Sequence, residues 1–186
     1  MNPIKNKKDL ETTINEIRNF AYAYLEKYSP SKQQLRTYLL KKFLKKKQKI
    51  SNKKELFNLI DVVISTLEDQ KLISDKYYSD AKTKDFLRKG YSLNKIRYNL
   101  IKKGIGEKYI KASISKIKEN ESDPDFFSAI KICKRRRIGP CRNESNRPLF
   151  YKKDISILAR SGFSYEISKK VLEIPKEEFN KFCKMI

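Results

Sequence analysis

An all-α fold is predicted for this chain: an elongated tandem array of three three-helix, helix-turn-helix-like repeats, closed by a short C-terminal helix. Three observations predict it. Apolar residues recur at steps of three and four through most of the 186 residues, and strand alternation is hard to find. Residues that start and stop helices bracket these stripes one after another. The segment Tyr28–Leu35 also aligns in register with Lys89–Ile96, so that Leu39 falls on Leu100.

In the first repeat, Leu10, Ile14, Ile17, Ala21, Tyr24 and Tyr28 share one helical face, and Ser29-Pro30-Ser31 stops the helix because the Pro30 ring cannot continue the ladder. Ser31 with Gln34 reads as a capping box ahead of the stripe Leu35, Leu39 and Phe43. Lys41 to Lys49 holds six lysines and no acid, and reads as a solvated helix end or loop. Asn52 caps a third helix with Leu56, Ile60, Val63 and Leu67.

The pattern then restarts. Asp75 caps a helix carrying Tyr78 and Ala81 that ends near Gly90. Ser92 caps a second, with Ile96 and Leu100, closed by Gly104, and Ile110, Ile114 and Ile117 mark a third. After Ser122-Asp-Pro-Asp125, a stripe of Phe126, Ala129, Ile130 and Cys133 runs into Lys134-Arg-Arg-Arg137 and the breaker Ile138-Gly-Pro140. Cys141 to Pro148 reads as a loop. Ile155, Leu158 and Ala159 lead to Gly162, Ser164 caps a helix with Ile167, Val171 and Leu172, and Pro175 opens a tail helix with Phe179, Phe182 and Ile186. The units are residues 1–71, 72–120 and 121–186. Each alone buries too little to be secure, so neighbours are expected to pack on one another.

Composition narrows the function. There is no His, which removes the commonest general base and every His-containing triad, dyad or zinc site. Cys133, Cys141 and Cys183 form no Cys-x-x-Cys pair, and five glycines build no phosphate-binding loop. No stretch nears the ~20 apolar residues of a membrane span, and no apolar h-region follows the N-terminal charges. A soluble, cytoplasmic, monomeric protein without cofactor or chemistry of its own is expected. Asp123 and Asp125 invite comparison with a metal-dependent nuclease pair, but flanking Pro124 before a helix they are more simply N-caps. Cys133 on the apolar face reads as an inert core thiol, Cys141 beside Arg142 as at most a low-pKa thiol. Aromatic residues at helical spacing read as core before base-stacking platforms.

The net charge is +22, spread as +8, +8 and +6 over the three units. Such a field attracts polyanions or an acidic protein groove. Lysine outnumbers arginine 34 to 10, and most lysines are expected on solvated faces. Arginine is the sharper signal because its planar fork suits phosphate and carboxylate. Six of the ten lie in the third unit: Arg135, Arg136, Arg137, Arg142, Arg147 and Arg160. The run Lys134–Arg137 also suits the negative end of its own helix dipole. The expected contact residues are these six and Lys134, together with Arg88, Lys89, Arg97, Lys102, Lys103, Lys41 and Lys42.

Several segments resemble one known family. Lys134-Arg-Arg-Arg-Ile-Gly-Pro140 is similar to an Arg-rich stretch ending in Leu-Gly-Pro in one branch of the RecX family, regulators of the RecA recombinase. Leu158-Ala-Arg-Ser-Gly-Phe-Ser-Tyr-Glu166 resembles its Leu-x-Arg-x-Gly-Phe-Ser-Tyr signature. Leu72-Ile-Ser-Asp75 and Leu100-Ile-Lys-Lys-Gly-Ile105 resemble its Leu-Leu-Asn-Asp and Leu-x-x-Lys-Gly-Ile motifs. Ser79 and Lys82 depart from an expected Ala and Tyr. The resemblance implies a non-enzymatic protein lying in the groove of a RecA filament on single-stranded DNA, restraining ATP hydrolysis, strand exchange and coprotease function. Single-stranded or duplex DNA would be met weakly through the basic surface. The alternative is a helix-turn-helix-like protein that binds DNA directly, without a recombinase.

Overall fold

The computed structural model describes residues 7–45 and 53–186, and side chains of the first stretch from 14 to 44. The side chains of Leu10 and Lys45, the residues Lys46, Lys47 and Lys49, and Asn52 lie outside the described residues. Among the described residues there are ten α-helices and no strand. They are α1 (Lys7–Leu25), α2 (Lys32–Lys45), α3 (Lys53–Asp69), α4 (Asp75–Arg88), α5 (Leu93–Lys102), α6 (Glu107–Asn120), α7 (Pro124–Arg136), α8 (Arg147–Arg160), α9 (Tyr165–Glu173) and α10 (Lys176–Lys184). Two 3-10 turns, Gly139–Cys141 and Glu144–Asn146, occupy the expected loop before α8.

The chain divides into two compact units, residues 1–78 with 103–105, and residues 79–102 with 106–186. The first unit centres on Ile17, Ala21, Leu35, Leu39, Phe43, Leu56, Ile60, Val63 and Leu67, the stripes of α1, α2 and α3. The second centres on Phe126, Ala129, Ile130, Cys133, Leu158, Phe163, Val171, Leu172 and Phe179. Ile96, Leu100 and Ile110 of the middle trio are also fully buried.

Capping explains where the helices begin. Ser31 and Gln34 form the reciprocal box: Gln34 N donates to Ser31 Oγ at 3.2 Å, and Ser31 N donates to Gln34 Oε1 at 3.1 Å. Ser92, Asp123 and Ser164 each accept from the backbone N–H three residues on. Each such cap contributes about 1 kcal/mol. Tyr28 lies beyond the end of α1 and is exposed, so the first stripe stops at Tyr24.

The face of α4 differs from the expected one. Ala81 is exposed, while Asp75, Tyr78, Ser79, Thr83 and Leu87 are buried. A polar residue is stable there when its hydrogen bonds are made inside. Ser79 Oγ lies 2.9 Å from Ser113 Oγ of α6, and Ser113 Oγ also lies 2.6 Å from Asp80 Oδ1. Ala159 on α8 is likewise exposed, leaving Leu158 as the buried member of that pair.

One joint is built twice, once within each unit. In the first unit Lys32 N, at the start of α2, donates to Asp75 Oδ1 at 2.9 Å. Ser31 Oγ donates to Lys103 O at 2.6 Å, in the turn that holds Gly104. In the second, Leu93 N at the start of α5 donates to Asp125 Oδ1 at 2.7 Å, and Ser92 N donates to Ser161 O at 3.4 Å beside Gly162. Gly162 has a φ of +88°, and a Cβ there would run into Ser92 Oγ and crowd Lys95 N. Close approach and left-handed backbone both require glycine. One spare N–H at each of these helix starts is thus satisfied by an aspartate further along the chain.

Burial pushes the Asp75 and Asp125 carboxyls above the ordinary aspartate range, despite the backbone N–H each accepts. A carboxyl raised in the folded state holds its proton more tightly there. Its stabilising contribution is therefore full below the unfolded value of ~3.9 and is lost as pH rises through the folded value. Asp75→Asn with Asp125→Asn keeps the acceptor oxygens and removes the charge. The stability of the unaltered protein relative to this variant is expected to rise between pH 7 and about pH 4. Urea midpoints at the two pH values measure it, and a gap moving the other way would refute the assignment.

Candidate basic interface

The cations foreseen in the sequence fall into three situations. Lys134, Arg135, Arg136 and Arg137 are all exposed at the end of α7, and Arg88 and Lys89 are exposed at the end of α4. Arg135 NH1 donates to Lys89 O at 2.9 Å, tying the two helix ends together. Arg88, Lys131, Lys134 and Arg135 line a surface hollow of about 430 Å³, with Ile186 at its edge. Lys131 was missed in the sequence, where it carries no signal apart from its place one helical turn before Arg135. Lys134 Nζ also donates to Cys183 O at 3.2 Å, and Arg88 pairs with Asp85. Two helix C-termini meet here, and their negative dipole ends favour the cations they carry.

Arg137 occupies an unusual backbone position. It ends α7 in the left-handed region, φ 53° and ψ 47°, with Ile138 N donating back to Cys133 O at 3.1 Å. This is the ending at which glycine is usual, as Gly90 and Gly162 show at the ends of α4 and α8. An arginine there costs about 1–2 kcal/mol of backbone strain.

Arg142 and Arg147 are occupied inside the second unit. The Arg142 guanidinium grips the buried Asp154 carboxylate, Nε to Oδ2 at 2.7 Å and NH2 to Oδ1 at 2.8 Å, and lies over the Phe150 ring. Gly139 N donates to the same Oδ2 at 2.9 Å. Arg147 NH2 donates to Leu172 O and Ile174 O, closing the end of α9. Through Asp154, Arg142 holds the Gly-Pro turn, while Arg147 ties the start of α8 to the end of α9.

The remaining residues are spread out. Arg97 NH2 pairs with Glu107 Oε1 at 2.9 Å, and Lys102 Nζ lies over the Tyr98 ring. Arg160 and Lys103 are exposed, as are Lys41 and Lys42, and Lys42 Nζ lies over the Phe20 ring. The two carboxylates weighed as a nuclease pair have separate structural partners. Asp123 caps α7 and pairs with Lys170 at 3.5 Å, while Asp125 holds Leu93 N. Burial pushes the Cys133 and Cys141 thiols up, against a reactive reading of Cys141. Among the described residues no helix is long and apolar enough to cross a membrane.

Fold and charge define a class: an all-helical protein whose helix starts are capped in part by side chains further along the chain, presenting clustered arginine and lysine to its surroundings. No family model matches the sequence. Over 170 residues it is 26% identical to Regulatory protein RecX of Myxococcus xanthus, covering 90% of this chain and 89% of that one. Over 161 residues it is 25% identical to Regulatory protein RecX of Agrobacterium fabrum, covering 87% and 84%. The crystal structure of RecX from Lactobacillus salivarius shares the fold, with a TM-score of 0.61 at 19% identity over 90% of this chain and 97% of that one. These likenesses, in sequence along most of the chain and in fold, support assigning the chain to the RecX family.

Proposed function

We propose that this protein is a non-enzymatic regulator of the RecA recombinase, mainly an inhibitor. In this reading it lies as a monomer in the groove of the RecA–single-stranded DNA filament, modulating ATPase, strand exchange and coprotease activity. It acts as three trios, residues 1–71, 72–120 and 121–186, in one chain. The family supports the regulatory role. The observation that carries the contact surface is the cation-lined hollow between the ends of α4 and α7, with Arg88, Lys131, Lys134 and Arg135 around it. Arginines at such a surface can fork onto carboxylate or phosphate.

RecA ATPase on single-stranded DNA, with and without this protein at two salt concentrations, tests the reading. ATPase is expected to fall at both, while binding to naked duplex is weak and steeply salt-dependent. Tight duplex binding with no effect on ATPase would replace it with the direct DNA-binding alternative.

Arg137→Gly separates a contact from a structural role. Relief of left-handed strain is worth about 1–2 kcal/mol and loss of the charge at the helix end costs about 0.3–1 kcal/mol, so the variant is expected to be slightly more stable. Its inhibition of RecA is expected to weaken. A variant that gains stability and inhibits as before would remove Arg137 from the contact surface.

A further inference from the structure

We propose that the exposed face of α5 is a stacking platform for single-stranded nucleic acid, with the Tyr98 ring receiving a base and Lys95 and Lys102 moving to the flanking phosphates. Asn94, Arg97, Tyr98, Ile101 and Lys102 recur at the spacing of one helical face, and all are exposed. Tyr98 is 50% exposed and Ile101 51%, an aromatic and an aliphatic side chain side by side in solvent. The inward face of the same helix is completed by Ile96 and Leu100, both fully buried, so the core makes no use of Tyr98.

The surroundings of the ring select the partner. Lys102 Nζ lies 4.5 Å from the centroid of the Tyr98 ring and Lys95 Nζ 5.8 Å from it. Lys102 also holds the phenol below its ordinary value by hydrogen bonding to it. Two ammonium groups therefore rest on the π-system from neighbouring turns, on flexible stems that can swing outward. No acidic residue occurs in α5; the nearby Glu107 is engaged by Arg97. A π-face flanked by cations matches an unstacked base between two phosphates. A duplex keeps its bases stacked and offers no free base face to the ring, and an acidic protein would satisfy the lysines without using the ring. The single strand is the occupant that uses both.

The proposal is independent of the recombinase reading, because the titration that decides it contains no recombinase. A fluorescein-labelled oligothymidylate is titrated with the full chain by fluorescence anisotropy, beside a duplex of equal length. Tyr98→Ala is expected to weaken single-strand binding roughly 5- to 150-fold, the range of one lost base–aromatic stack, and to leave duplex binding unchanged. Tyr98→Phe keeps the ring and is expected to bind as the unaltered protein does. Lys95→Gln with Lys102→Gln is expected to lower the salt slope of single-strand binding by about 0.7 for each phosphate no longer neutralised. Circular dichroism melts check that each variant folds. Equal loss on single strand and duplex would overturn the proposal, as would unchanged single-strand binding by folded Tyr98→Ala. Weakened RecA inhibition by that variant with oligothymidylate binding intact would assign the face to a protein contact instead.

Discussion

Arg142→Ala is expected to destabilise the second unit by about 3–5 kcal/mol, the largest effect of any single arginine in the chain. The reason lies in what the substitution leaves behind. Asp154 is buried, with a side chain only 2% exposed, and two of its three hydrogen bonds come from the Arg142 guanidinium. Without it the carboxylate keeps only the Gly139 N–H, and an uncompensated charge remains in the core. Urea denaturation reads the loss directly. Asp154→Leu combined with Arg142→Leu is expected to recover most of it, because removing both charges is far less costly than removing one. The residual deficit is the unbonded Gly139 N–H, worth about 1–3 kcal/mol. A loss below 1 kcal/mol for the single variant would show that the pair is solvated in practice and does not hold the turn.

Reversing Arg135, Arg136 and Arg137 to glutamate together is expected to raise the concentration that half-inhibits RecA ATPase by about 30-fold or more. Truncating one member of a buried interfacial charge pair costs about 2–5 kcal/mol, and 2 kcal/mol is already about 30-fold in affinity. The fold should survive, since exposed cations are typically replaceable within about ±0.5 kcal/mol each. Some loss is expected from the Arg135 bond to Lys89 O and from the charge at the end of α7. Reversal of Lys45, Lys46 and Lys47 is the matched control for net charge. Equal weakening by both triple variants would mean that only the overall field matters. Weakening by the lysine variant alone would place the contact elsewhere.

Much of this fold was legible because helical spacing and capping are local. Ser31 with Gln34, Ser92, Ser164 and Gly162 each act within three or four residues of themselves, and the structure uses them as their spacing predicts. The buried stripe of α3 lies at the expected Leu56, Ile60, Val63 and Leu67 for the same reason. What was not legible depends on partners far along the chain. Ala81 fits an apolar stripe by composition, yet α4 turns Asp75 and Ser79 inward because Lys32 N and Ser113 wait for them. Arg142 and Arg147 look like Arg135 in sequence. Only the fold reveals that Asp154, and the carbonyls of Leu172 and Ile174, have already engaged them. Tyr98 shows the opposite case, an aromatic at helical spacing that the core leaves outside.

The joint has a direction, and the first two residues of α8 do not repeat it. At the starts of α2 and α5 a backbone N–H is offered to an aspartate further along the chain. At the start of α8 the Arg147 N–H is already bonded to Glu144 O, Pro148 has no N–H, and the Arg147 side chain closes over α9. The donor position that Lys32 and Leu93 leave open to a following aspartate is thus closed at the first two residues of α8, by the turn before it and by a ring nitrogen.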